Sequence, residues 1–163
     1  MADQISYRPI APIDNPVIAK IIKEVMTSYG CIGDGYSIED AEVDQMYQAY
    51  SDDRSIYYVV ELNGTVVGGA GISHLAGADS TICELKKMYF LPEGRGYGLG
   101  RQLITQLVAD ARSMGYTSCY LETVTRMKAA NHLYATCGFV QNETTIGNTG
   151  HGGCDTYYSL DLS

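Results

Sequence analysis

The run Arg95-Gly96-Tyr97-Gly98-Leu99-Gly100-Arg101 stands between a strand-like stretch, 85–90, and a helix-like stretch, 102–108. Glycines let backbone N–H groups turn toward a ligand without a Cβ in the way, and a helix start adds unpaired donors and the positive end of a dipole. Arg95 adds a permanent charge. The chemistry this suits is the cradling of phosphates. A Walker loop would continue from glycine into Lys-Ser or Lys-Thr, and Gly100 is followed by Arg101-Gln102 instead. A dinucleotide fingerprint would need a third glycine where Arg101 stands, although Glu122 lies about where a ribose-binding acid would. A dinucleotide-binding domain therefore stays open as an alternative.

The spacing Arg95-x-x-Gly98-x-Gly100 also fits a third pattern, Arg/Gln-x-x-Gly-x-Gly/Ala, and a second motif follows it at Asn131-His132-Leu133-Tyr134-Ala135-Thr136-Cys137-Gly138-Phe139. In both, across roughly residues 82–140, the sequence resembles the GNAT superfamily of acetyl-CoA-dependent N-acetyltransferases. The resemblance implies transfer of an acetyl group from acetyl-CoA to a primary amine of a small molecule or peptide, directly, within a ternary complex. It implies that Arg95, Gly96, Tyr97, Gly98, Leu99, Gly100 and Arg101 wrap the pyrophosphate of coenzyme A. By the same resemblance the backbone of Met88, Tyr89 and Phe90 contacts the pantetheine arm and the thioester carbonyl. Tyr134 falls at the family's general acid and Asn131 at a cofactor-contacting Asn. A non-catalytic acyl-CoA-binding module would keep Arg95, Gly98 and Gly100 and is the rival reading. Tyr134 as a packing residue and Asn131 as a helix-start cap are the plainer alternatives.

An amine must lose a proton before it attacks a thioester, so a base is needed. Glu84 is the best candidate: its strand parity matches Met88, placing both side chains on one sheet face if no bulge intervenes. The alternatives are a surface charge facing Lys86 or Lys87, Glu122 as the carboxylate, or an ordered water. Cys137, at a helix C-terminus where the dipole disfavours a thiolate, is a poor nucleophile. His151-Gly152-Gly153-Cys154 offers two metal-ligand types without a second pair at zinc-like spacing, so no metal is expected and a turn before the last strand explains it better. His74 and His132 read as ordinary surface residues, and Met88 and Met127 as packing.

The composition bounds the setting. A chain of 163 residues with 45% hydrophobic content reads as one domain, 1–163, able to bury a core. No apolar span of membrane length or leader is visible, so a cytoplasmic protein without a membrane partner is expected. Five scattered cysteines suit reduced thiols, and a net charge of −8 argues against nucleic acid. Asp34, Glu39, Asp40, Glu42 and Asp44 lie in a segment, 30–45, without Lys or Arg, which favours a cationic acceptor. Monomer and homodimer both remain open. The chain has 14 tyrosines and no tryptophan, for which we have no physical account.

The elements that must position these residues follow from pattern. A first strand over 5–10 leads to a helix capped by Asp14, with Val17, Ile18, Ile21, Ile22 and Val25 at helical spacing and Gly30 as its stop. The turn-rich 31–37 is a candidate lid, and Ser37 with Asp40 as a capping box predicts a second helix to about Tyr50. Asn63-Gly64 predicts a hairpin, and Gly68, Gly69 and Gly71 mark a bulge or close approach in its second strand. A strand over 81–90, the glycine loop, a helix to about Met114, a strand over 116–122, a helix over 128–137 and two short strands complete the order. This is an α/β (α+β) arrangement matching the GNAT fold: a central mixed, mostly antiparallel sheet of about seven strands with a splayed parallel pair, flanked by about four helices.

Overall fold

Alternating apolar residues build one seven-stranded sheet in the computed structural model, which describes residues 2–163. Strands β1 (Ile5–Pro9), β2 (Ile56–Leu62), β3 (Thr65–His74), β4 (Ile82–Phe90), β5 (Ser118–Thr123), β6 (Val140–Asn142) and β7 (Thr156–Asp161) lie in the order β1-β2-β3-β4-β5-β7-β6. Among the described residues only β4 and β5 run parallel. Asn63 and Gly64, at φ of 52° and 83°, close the predicted β2–β3 hairpin. Helices α1 (Asn15–Ser28), α2 (Met46–Ala49), α3 (Leu99–Ser113) and α4 (Lys128–Thr136) cover the sheet. Gly115 and Gly138, at φ of 89° and 94°, end α3 and α4 where expected. Among the described residues no helix is long and apolar enough to cross a membrane.

The period-2 alternation of β2 feeds two cores. Tyr57 and Val59 join Ile18, Ile22 and Val25 of α1 and Met46 of α2 on one face. Tyr58 and Val60 join Leu103, Ile104 and Leu107 of α3 and Tyr134 of α4 on the other. Each fully buried leucine or isoleucine contributes about 1.5–3 kcal/mol, so helical spacing alone fixes which side of α1 and α3 meets the sheet. Helix α3 is also the crossover between β4 and β5, and a crossover of that kind makes their parallel pairing possible. The pairing lasts three rungs, Ile82 with Ser118, Cys83 with Cys119 and Glu84 with Tyr120, after which the strands part.

One residue too many in β4 changes what faces what. Between Gly69 and Gly71 of β3 the opposing strand advances from Tyr89 to Lys86, a bulge at which Lys87 adopts φ of 56°. Tyr57 Oη donates to the Lys87 carbonyl at 2.7 Å and pins the bulge. The expected sharing of a face by Glu84 and Met88 is thereby overturned: Met88 packs into the α3 core, and Tyr89 takes the α1 side with Glu84. Tyr57 also explains the glycines of β3, since a Cβ at Gly69 or Gly71 would meet its ring at 2.6 or 2.5 Å.

Two further expectations are corrected. Asp14 does not cap α1; it accepts from Arg8 Nη1 at 2.8 Å and from the Ala11 N–H at 2.8 Å, holding the 3-10 turn Pro12–Asp14 that precedes the helix. The second helix is broken into 3-10 turns at Ser37–Glu39 and Ala41–Asp44 and the single turn α2, with Asp40 extended at ψ of 134° between the first two. Asp40 serves no capping box. It and Glu42 both reach lysines of β4, and residues two apart point to different sides of an α-helix, so a continuous helix could not aim both.

Candidate active site

The glycine loop opens into a cleft of about 340 Å³ lined by Gly94, Arg95, Gly96, Gly98, Gly100, Arg101, Leu133 and the ends of α1 and β4. Gly98, at φ of 73°, is the residue before α3, and Gly96 sits at 89°. A Cβ on either would meet nothing within 4 Å, so the space beside them is open. The first ladder bond of α3 runs from Gln102 to the Gly98 carbonyl at 3.2 Å, which leaves the preceding N–H groups of Leu99, Gly100 and Arg101 free for a ligand. Such a cradle fits an anionic diphosphate. The Arg95 guanidinium donates to the Phe90 carbonyl at 2.8 Å and ties the loop to the end of β4. Gly100 has a different role: a Cβ there would lie 2.7 Å from Leu133 Cδ2, so it lets α3 pack on α4. The Tyr97 side chain turns away from the cleft and donates to Asp3 at 2.6 Å.

Met88, Tyr89 and Met127 line both this cleft and a narrower chamber of about 50 Å³ in the wedge between β4 and β5. Glu84, Glu122, Tyr134, His151 and Cys154 face the chamber. Tyr134 is 7% exposed, lies against Phe139 and Tyr158, and its hydroxyl has no hydrogen-bond partner among the described residues. Burial pushes its phenol well above the ordinary tyrosine value. Glu84 is 5% exposed and likewise without a hydrogen bond among the described residues, so it is no surface charge. Burial raises its carboxyl, outweighing the lowering by Lys86, His151 and Lys87. Cys154 is pushed up to about 12, first by burial and then by Glu122, and so holds its proton. Burial also raises Cys137.

The acids expected to form a free negative wall are mostly spent on lysines. Lys87, whose side chain is fully buried, pairs with Asp40 at 2.6 Å, and Lys86 pairs with Glu42 at 2.9 Å. Asp44 pairs with Lys23 at 2.9 Å. Burial acts to raise Asp40 and Glu42, but the His151 hydrogen bond and Lys87 at the first, and Lys87 and Lys86 at the second, hold both below the usual carboxylate range. The segment 30–45 shows no Lys or Arg because its counter-charges come from β4 and α1. The carboxyl groups at the chamber without a lysine partner are those of Glu84 and Glu122.

His151, read from sequence as part of a turn, is the functional candidate that reading missed. Its Nε2 bonds both Asp40 oxygens, at 3.0 and 2.9 Å, and its Nδ1 lies 3.7 Å from Glu122 Oε1. Glu122 is held in turn by the hydroxyls of Thr149 and, at 2.6 Å, Tyr120. The loop bearing His151 meets the expected lid: the Gly153 N–H donates to the Gly35 carbonyl at 2.8 Å, and a Cβ at Gly153 would strike the Tyr36 ring at 2.6 Å. Ser37 bonds Tyr89 across the wedge at 3.0 Å. Asn131, expected at the cofactor, is engaged elsewhere in this structure. Its amide donates to the carbonyls of Val124 and Met127 and accepts from Tyr158, so it braces α4 against β5 and β7 and does not line the cleft.

Comparisons of the sequence and of the fold with known proteins return acetyltransferases. The sequence profile of the acetyltransferase (GNAT) family matches residues 19–139. The uncharacterized N-acetyltransferase YjgM of Escherichia coli is 47% identical over 150 residues, 91% of this chain and 90% of its own. A GNAT-family acetyltransferase from Staphylococcus aureus superposes with a TM-score of 0.81 at 15% identity, over 98% of this chain and 100% of its own. The putative acetyltransferase yncA of Salmonella typhimurium, solved with acetyl-CoA, gives 0.78 at 22% identity, over 98% and 94%. The chain belongs to the GNAT family of acetyltransferases and is an acyltransferase.

Proposed function

We propose that this protein transfers the acetyl group of acetyl-CoA directly to a cationic primary amine of a small molecule or peptide, with Glu84 as base and Tyr134 as acid. The observation that carries the reading is continuity. Met88, Tyr89 and Met127 join the phosphate cradle at the start of α3 to a buried chamber whose carboxylate and phenol have no partners of their own among the described residues.

Arg95 to Arg101 would hold the diphosphate, and the backbone of Met88, Tyr89 and Phe90 the thioester end, which supplies the activated acetyl group. Glu84 takes the first proton from the acceptor. Tyr134 passes a proton to the departing sulfur and recovers one from the nitrogen as the amide forms, so a single proton leaves on Glu84. The high pKa of Cys154 favours this direct route over an acyl-cysteine, because only a thiolate would attack. A non-catalytic acyl-CoA binder gives no account of two unpartnered buried ionisable groups, whose isolation costs stability.

The test is thiol release from acetyl-CoA with polyamines, amino sugars, amino acids and peptide termini as acceptors, paired with calorimetry of coenzyme A binding. Gly98→Val should fold, at a strain cost of ~1–3 kcal/mol for a β-branched residue at positive φ, and lose most of its coenzyme A affinity. Unchanged affinity in the folded variant would defeat the reading.

A further inference from the structure

We infer that the acceptor's reactive nitrogen docks as a primary ammonium among Glu84, Glu122 and Nδ1 of His151, an assignment that rests on the acetyltransferase reading above. One acceptor atom from each of the three residues lies within 4.8 Å of the other two. An ammonium carries three N–H donors and no acceptor, the complement of such a set. Three N–H bonds of ~2.8 Å at tetrahedral angles span acceptors about 4.6 Å apart. A metal with bonds of ~2.1 Å would need the same atoms drawn in to about 3.4 Å.

Glu84 is buried and His151 half-buried, and neither has a hydrogen bond toward this point among the described residues. Glu84 is 5% exposed with no hydrogen bond among the described residues. The His151 side chain is 9% exposed and its Nε2 lies 3.0 and 2.9 Å from the Asp40 oxygens, so Nδ1 is the ring nitrogen left for a ligand, and the docking requires the neutral tautomer protonated at Nε2. In that tautomer Nδ1 and a Glu122 oxygen, 3.7 Å apart, are two acceptors with no donor between them. An ammonium supplies the missing donor. Lys86 and Lys87 do not, because they are taken by Glu42 and Asp40.

The surroundings narrow the class further. Glu122 is fixed by Thr149 and Tyr120, and Tyr36, Ser37 and Cys154 complete a chamber of about 50 Å³. Such a space takes the head of an unbranched alkylammonium. A secondary or quaternary amine would lose N–H bonds and add carbon against those walls. On reaction one N–H bond breaks and its proton adds to the Glu84 carboxylate, giving neutral amine and carboxylic acid with nothing else consumed.

The test is a titration of the coenzyme A-bound protein with propylamine, watched through the imidazole nitrogens by NMR. The signal of His151 is identified by its loss in His151→Gln. Propylammonium should shift Nδ1 saturably from lone-pair to hydrogen-bonded character, propyltrimethylammonium and propanol should not, and Glu122→Gln should weaken the shift at least tenfold. No shift up to ~100 mM, a hundredfold above a millimolar dissociation constant, would overturn the assignment. So would equal shifts with the trimethyl analogue, an Nδ1 already protonated in the free protein, or capture of the site by equimolar Zn²⁺ alone. Failure of coenzyme A to bind would sink the acetyltransferase reading instead, whereas acetylated amines with a silent Nδ1 would sink only this one.

Discussion

Glu84 and Tyr134 are set apart by the partners they lack. Each is buried at the base of the wedge, and burial pushes both upward, toward a carboxylate basic enough to accept a proton and a phenol that keeps its own. A base must be ionised to act, so in the role proposed for Glu84 kcat/KM should fall as pH drops through a Glu84 pKa above the ordinary carboxylate range. Glu84→Gln should remove that acid limb from the pH profile, and an unaltered limb would assign it elsewhere. Tyr134→Phe should lower kcat ~10²–10⁴-fold while leaving coenzyme A affinity nearly intact, as single-turnover kinetics and calorimetry together would report. The sequence motif singled out Tyr134 and strand parity singled out Glu84, and the structure brings both to one chamber. The parity argument nevertheless named the wrong companion: the glycines of β3 signalled a bulge, but not that the extra residue would fall at Lys87 of the facing strand. His151 was invisible for a plainer reason: its partner Asp40 lies 111 positions away, and only the meeting of two loops joins them.

At the scale of elements, the hairpin, α1, α3 and α4 could be read from local chemistry, since Asn63-Gly64 and the stop glycines act within a few residues of themselves. The stretch 37–50 could not. Its capping and spacing favour a helix locally, but the buried ammonium of Lys87 demands a carboxylate, and tertiary pairing outweighs a propensity worth tenths of a kcal/mol per residue. Asp40→Asn tests this directly. Removing one partner of a buried pair costs about 3–5 kcal/mol, with Glu42 at 3.9 Å from Lys87 as partial compensation, so urea unfolding should show a loss near the lower end. Because the folded pKa values of Asp40 and Glu42 are depressed, their contribution is present above the unfolded carboxylate range and lost as pH falls through the folded values. The wild-type protein should therefore lose more stability than Asp40→Asn on acidification below that range, and parallel losses would show the pair to be energetically silent.

For the whole molecule, the order of elements and the parallel pair were predictable, while the reach of the wedge depends on pairing that stops after Glu84 and Tyr120. With a net charge of −8, the proposed binding of an anionic cosubstrate rests on local dipoles and arginines gathered at one helix end. Coenzyme A at ~100 times its dissociation constant should stabilise the fold by ~2.7 kcal/mol, and in a domain of this size raise the melting temperature by about 5–10 °C.

The early end of the β4–β5 ladder means that the sheet carries two open borders in its interior, one on each strand, where most sheets confine theirs to the outside. Backbone amides along that inner border can exchange with solvent until something extended and polar lies between the strands, and in the proposed binding mode the ligand would complete the sheet as a temporary strand. Amide hydrogen exchange should therefore slow on coenzyme A binding along the far halves of β4 and β5, and hardly change at the paired rungs from Ile82 to Glu84.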